Sequence, residues 1–143
     1  KVEDLEGNFR GDTGSGDILL RKARGEALHA DTGSGDVQLS DTSYPQLGID
    51  TGSGDVRVGS LLGALRRWKV DSGSGDVVFL LPTAGSSFRL EVDSSSGEVE
   101  CAFPSRDVRM ERGRIRSLTV GDGSGVIIVD TGSGDISLIA NGN

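Results

Sequence analysis

The chain has 143 residues, with 22 acidic against 15 lysine and arginine side chains and a formal net charge of -7. That balance repels phosphate backbones and anionic headgroups and argues against a nucleic-acid partner. A single cysteine, Cys101, excludes an internal disulfide and any cysteine-cluster metal site, and the length suits one domain over 1–143 with its own core.

The opening "KVEDLEGNFRG" (1–11) has neither a basic leader nor an apolar stretch of signal-peptide length. The longest apolar run, "VVFLL" at 77–81, is far too short to cross a bilayer, so no direct membrane insertion is expected of this chain. A signal or anchor would have to lie outside it.

From residue 12 one phrase dominates. "DTGSGD" occupies 12–17, 31–36, 50–55 and 130–135, with variants "DSGSGD" at 71–76 and "DSSSGE" at 93–98. The glycine before the second acid recurs at Gly16, Gly35, Gly54, Gly75, Gly97 and Gly134, in steps of 19, 19, 21, 22 and 37 residues. Such a period marks a repeat architecture. The last step is nearly two laps, and "VRMERGRI" (108–115), with Gly113 at the marker, supplies a degenerate copy between them. "GDGSGVI" (121–127) then reads as the opposite corner of the last lap.

Around each copy apolar residues alternate. Leu47 and Ile49 precede Asp50, and Val56 and Val58 follow Asp55; Trp68 and Val70 precede Asp71, and Val77, Phe79 and Leu81 follow Asp76. Period two means strands with one buried face. Gly-Ser-Gly between them offers residues able to take positive φ and turn sharply. Each lap is therefore strand, tight corner, strand and a variable back turn, such as "KARGEA" (22–27), "TSYPQ" (42–46) or "PTAGSS" (82–87). "SLLGALRRW" (60–68) reads as a strand with a bulging turn, Cys101 as a small core residue, and His29 as an exposed strand position.

An antiparallel hairpin would set the two acids of one phrase, such as Asp50 and Asp55, directly opposite each other as like charges, which is destabilising. A β-solenoid stacks each corner on its copy one lap away, and near-identical corners at near-constant pitch suit stacking. The expected fold is an all-β, parallel β-helix-like solenoid of about seven laps of 19–22 residues. Stacked in chain order, the first acids form the column Asp12, Asp31, Asp50, Asp71, Asp93, Arg109, Asp130. The second acids form Asp17, Asp36, Asp55, Asp76, Glu98, Arg114, Asp135. Arg109 and Arg114 would each relieve repulsion between two acids, with Arg109 near Asp93 or Asp130 and Arg114 near Glu98 or Asp135.

Asp-Thr-Gly-Ser is also the signature of aspartic proteases, but those need one facing pair of carboxylates sharing a proton, not a ladder. The phrase approaches the glycine-rich nonapeptide of calcium-binding β-rolls, yet its acid follows the second glycine one residue too early. A single histidine, His29, and the absence of a G-x-S-x-G elbow weigh against a nucleophilic triad, and no lysine stands in a phosphate-loop position. "RDVRMERGRIR" (106–116) lacks interleaved aromatics. No catalytic residue, metal or cofactor is expected, and the acids are read as structural, with Asp and Ser oxygens accepting hydrogen bonds from the amides of their own turn.

The recurring Thr-Gly-Ser-Gly-Asp-Val/Ile phrase resembles a bacterial family of β-strand-repeat domains of unknown function labelled "putative adhesins". The resemblance covers nearly the whole chain and implies a right-handed parallel β-helix-like domain in or attached to the bacterial envelope, without catalysis. The expected function is a non-enzymatic structural or adhesive module whose partner is a cell-surface protein, a glycan or another copy of itself. The alternative is a hydrolase, glycosidase-like or aspartic in type, using paired acids on the corner ridge.

Overall fold

The computed structural model describes residues 2–60, 66–81, 87–94, 97–103, 105–111, 113–121 and 123–140. Among them the chain is all strand and turn: β1 (Val2–Glu6), β2 (Phe9–Thr13), β3 (Ile18–Arg24), β4 (Ala27–Thr32), β5 (Val37–Thr42), β6 (Gln46–Thr51), β7 (Val56–Ser60), β8 (Arg67–Ser72), β9 (Val77–Leu81), β10 (Phe88–Ser94), β11 (Val99–Cys101), β12 (Ser105–Glu111), β13 (Arg114–Val120), β14 (Gly125–Thr131) and β15 (Ile136–Ala140). No helix occurs among the described residues, so none is long and apolar enough to cross a membrane. The bulging turn expected within 60–68 and the back turn at 82–87 fall largely outside them.

The strands form two sheets, ordered β1-β3-β5-β7-β9-β15-β11 and β12-β13-β10-β14-β8-β6-β4-β2. Every corner phrase carries the chain from the second sheet to the first. Neighbouring laps pair in parallel, as in β4 with β6 and β5 with β7. The period-two pattern becomes inward columns: Leu28, Leu47, Trp68, Ile127 and Leu90 are in register in one sheet, and Val37, Val56, Val77 and Ile136 in the other. All nine are 5 % exposed or less, and each such side chain contributes about 1.5–3 kcal/mol relative to exposure. Trp68 stacks on Phe79 at 6.0 Å and donates Nε1–H to the Tyr44 carbonyl at 2.8 Å. Cys101, expected in the core, is only half-buried, at the sheet-end of the column holding Phe79 and Leu138, and His29 is exposed on β4 as expected.

The order of laps departs from chain order. β14 pairs in parallel with β8 on one side and β10 on the other, with Asp130 in register with both Asp71 and Asp93. β15 lies between β9 and β11. The last-made lap is therefore inserted between the two made before it, and the corners stack in the order 12–17, 31–36, 50–55, 71–76, 130–135, 93–98.

The expected seventh lap at 108–115 does not form. β12 and β13 are an antiparallel hairpin, and β13 runs antiparallel to β10, covering the edge of the second sheet. Gly113, at φ 78°, lies in the hairpin turn, not in a corner. β10 lies between β13 and β14 in the sheet, and Gly121 and Gly123 between these strands have φ of 66° and 74°, so the chain crosses over here and the expected opposite corner is not seen among the described residues. Register shifts within β12 and a left-handed Asp107 (φ 51°) make an irregular outer edge, a form that discourages further strand pairing.

Candidate functional site: the stacked corners

Three interactions recur along the stacked corners. The first is a hydroxyl cap: the amides of Gly35, Gly54 and Gly134 donate to the Oγ1 of Thr32, Thr51 and Thr131, and Gly75 N–H donates to Ser72 Oγ, all at 3.1–3.2 Å. The same hydroxyls donate onward to the preceding lap, Thr32 to the Gly16 carbonyl and Thr51 to that of Gly35, both at 3.0 Å. These hydroxyl residues are 1 % exposed, and none of their polar atoms is left unpaired. The capping oxygen within the turn thus belongs to the Thr or Ser after the first acid, not to the acid.

The second interaction uses the second acids. Asp17 Oδ1 accepts the amide N–H of Asp36, Asp36 Oδ1 that of Asp55, Asp55 Oδ1 that of Asp76 and Asp76 Oδ1 that of Asp135, each at 2.9 Å, and Asp135 Oδ1 accepts that of Glu98 at 3.0 Å. Every bond runs between laps rather than within one turn. Its sequence follows the inserted order, passing from Asp76 to Asp135 before Glu98.

The third is close backbone approach. A Cβ at Gly35, Gly54, Gly75 or Gly134 would collide with the carbonyl of the matching glycine one lap back, and the same holds for Gly33, Gly52, Gly73 and Gly132. None of these glycines has positive φ. Glycine is required here for room between laps, not for turn conformation. A Cβ at Gly14 or Gly16, in the first corner, would meet no neighbouring lap.

The first acids line up beside this ridge as Asp12, Asp31, Asp50, Asp71, Asp130 and Asp93. Neither expected arginine enters a column. In the backbone register of the hairpin Arg109 lies opposite Ser117 and position 114 opposite position 111. Asp93 instead meets Arg116, whose Nη1 lies 3.5 Å from Oδ1 while its Nε lies 3.4 Å from Glu111. The chain-order columns fail because the hairpin removes 105–120 from the stack.

Burial raises the Asp71 carboxyl above its ordinary range, Asp130 and Asp50 on either side push it further, and Lys69 opposes the shift. A raised native value gives a contribution fully present below the unfolded value, near pH 3.9, and lost as pH rises through the native one. At pH 7 ionised Asp71 therefore costs stability. Asp71→Asn is expected to raise the unfolding free energy at pH 7 by roughly a few tenths of a kcal/mol, discounted for solvent screening. The gain should vanish below pH 3 and shrink in high salt; chemical denaturation at the two pH values checks it.

Among the described residues no group of three or more His, Cys, Asp and Glu side chains converges as a metal site would require. Burial pushes the Cys101 thiol up, against a smaller opposing backbone hydrogen bond at Phe103, and so disfavours the thiolate that a nucleophile needs.

Fold and ridge together define a two-sheet parallel β-coil, β-solenoid-like, whose repeated corners are locked by inter-lap hydrogen bonds. Residues 6–66, which hold the first three corners, match the family described as Toastrack DUF4097. In structure the chain is similar to a protein from Clostridium sporogenes ATCC 15579 described as a "putative cell adhesion protein", with a TM-score of 0.62 over 95 % of this chain and 92 % of that one. Their sequences are 11 % identical, so the likeness is one of fold. No curated protein matches the chain in sequence.

Proposed function

We propose that the protein is a non-enzymatic structural or adhesive interaction module of the bacterial cell envelope or extracellular space, coiled in the right-handed sense usual for parallel crossovers. The observation that carries it is the use of the repeated carboxylates. Five successive second acids each spend an oxygen on the next lap's backbone amide, an arrangement that joins laps rather than presenting a reactive pair in a cleft. Such a stack is a stiff rod with flat lateral faces, suited to display and to binding a cell-surface protein, a glycan or another copy. The fold shared with the clostridial protein supports the same reading.

The acids act structurally, and neither metal nor cofactor takes part. Purified protein should cleave neither peptide nor glycoside substrates, and its melting curve in excess chelator should coincide with that in millimolar calcium. Hydrolysis that is lost in Asp50→Asn would overturn this function in favour of a hydrolase. A calcium-dependent rise of many degrees would show that the ridge binds the ion.

A further inference from the structure

The outward face of β2, β4, β6 and β8 carries two parallel rows of opposite charge. Asp12, Asp31, Asp50 and Asp71 are in register along one; two residues back on the same strands, hence on the same face, Arg10, His29, Gly48 and Lys69 are in register along the other. Arg10, His29 and Lys69 are exposed, as are Arg66 and Arg67 at the entry to β8. None of the five makes an ion pair among the described residues. In a chain of net charge -7, positive charge outside any close ion pair lies directly beside an acid row.

Gly48 interrupts the basic row. With no side chain there, His29, Gln46, Arg66, Arg67 and Lys69 line a shallow depression of about 520 Å³, and a Cβ at 48 would lie 3.1 Å from His29 Nδ1. The basic row ends where the inserted lap begins, since Ile128 and then Glu91 continue the line of Lys69, while the acid row runs on through Asp130 and Asp93, so the paired rows span four laps.

We propose that this face is a self-complementary interface between two copies of the chain, a partner choice that rests on the interaction-module reading. Rows on one sheet lie about 6.8 Å apart along the strands and laps about 4.8 Å apart across them. A two-fold axis parallel to the coil, midway between the rows, lays each acid row on the partner's basic row with lap n opposite lap n. Asp12 then meets Arg10, Asp31 meets His29, Asp50 enters the gap over Gly48 and Asp71 meets Lys69. A closed two-fold requires one patch that complements itself, and two equally spaced rows of opposite sign satisfy that. The large hydrophobics exposed among the described residues, Val108, Met110 and Ile139, lie on β12 and β15, so apolar burial does not drive this contact.

Four laps of about six residues cover roughly 400 Å² per copy, or about 800 Å² in total, below the 1,200–2,000 Å² of stable complexes. The dimer is accordingly weak, with Kd in the range of roughly 0.1–1 mM, and is favoured where copies are held close together.

Sedimentation equilibrium of the full chain in low and high salt tests this by sign. Two copies of charge -7 without local pairing would associate more readily as salt rises, whereas complementary rows predict association that weakens roughly tenfold. Lys69→Asp and Asp71→Lys should each abolish measurable dimer. Mixing the two should restore it, because every 69–71 contact in the heterodimer again joins opposite charges. Should Asp71→Lys unfold, as read by circular dichroism, loss of dimer in Lys69→Asp at its exposed site still decides. A monomer at all salt concentrations, association that strengthens with salt, or a mixture no better than its components would overturn the proposal. None of those results would by itself restore catalysis, which is measured separately by the hydrolysis assays.

Discussion

Gly54→Ala is expected to lower the unfolding free energy by about 3 kcal/mol or more, while Gly14→Ala changes it by less than about 0.5 kcal/mol. The two glycines hold different positions in copies of the same hexapeptide, but Gly52, the stacked counterpart of Gly14, would also run a Cβ into a carbonyl one lap back, that of Gly33, so place in the stack is what separates them. A methyl group at 54 would run into the Gly35 carbonyl, which is backbone and cannot rotate away, and relieving that contact means prising two laps apart. At 14 no atom lies within 4 Å of the added carbon, and the smaller entropy of the unfolded alanine chain offsets part of any cost. Thermal melts should show Gly54→Ala roughly 10 °C below the parent and Gly14→Ala close to it. Equal effects at the two sites would mean that the corners do not approach as closely as their stacking implies.

Deleting 125–143 is expected to abolish the cooperative unfolding transition. In a coil stacked in chain order this segment would be the terminal lap, and its loss would shorten the rod with little other consequence. Here its strands lie between β8 and β10 and between β9 and β11, so deletion opens both sheets and strands the last corner away from the rest. The point variant is Ile127→Ala. Ile127 is fully buried, in register with Trp68 on one side and Leu90 on the other, and its truncation should cost about 2–5 kcal/mol. A deletion variant that still melts cooperatively near the parent temperature would contradict the inserted position.

Much of the lap was legible in the sequence. Alternation at Leu47, Ile49, Val56 and Val58 identified strands and their inward faces, and the repulsion expected between Asp50 and Asp55 in a hairpin favoured parallel stacking, as observed. The order of laps was not legible, because a phrase repeated almost letter for letter stacks on any copy of itself. Local sequence cannot say whether 93–98 rests on 71–76 or on 130–135. The deciding element is the hairpin β12–β13, and its signal was present in Gly113 within a charged stretch and in Gly121 and Gly123 eight to ten residues later. Spacing made Gly113 look like a corner marker, although it is a turn glycine with positive φ and the corner glycines are not.

The roles within the corner were misassigned for a related reason. A lone turn suggests that its acid caps its own amides, and that glycine is there to bend. Stacking changes both roles: the hydroxyl of Thr32, Thr51, Ser72 or Thr131 caps the turn, the second acid reaches the next lap, and glycine makes room. The hydroxyl residue after every first acid was visible throughout, and only the third dimension shows why it must be short, polar and buried.

The inserted lap is tested most directly by disulfide trapping in a Cys101→Ser background. Residues 67 and 126 are in-register partners, as are 126 and 89, so 67 and 89 stand two laps apart. Parallel neighbours lie about 4.8 Å apart, within disulfide reach, whereas two laps span about 9.6 Å, beyond it. Arg67→Cys with Val126→Cys should therefore oxidise readily to a closed loop without loss of stability, and Arg67→Cys with Arg89→Cys should remain reduced in the folded protein. Rapid closure of the 67–89 pair with none between 67 and 126 would show instead that the laps stack in chain order.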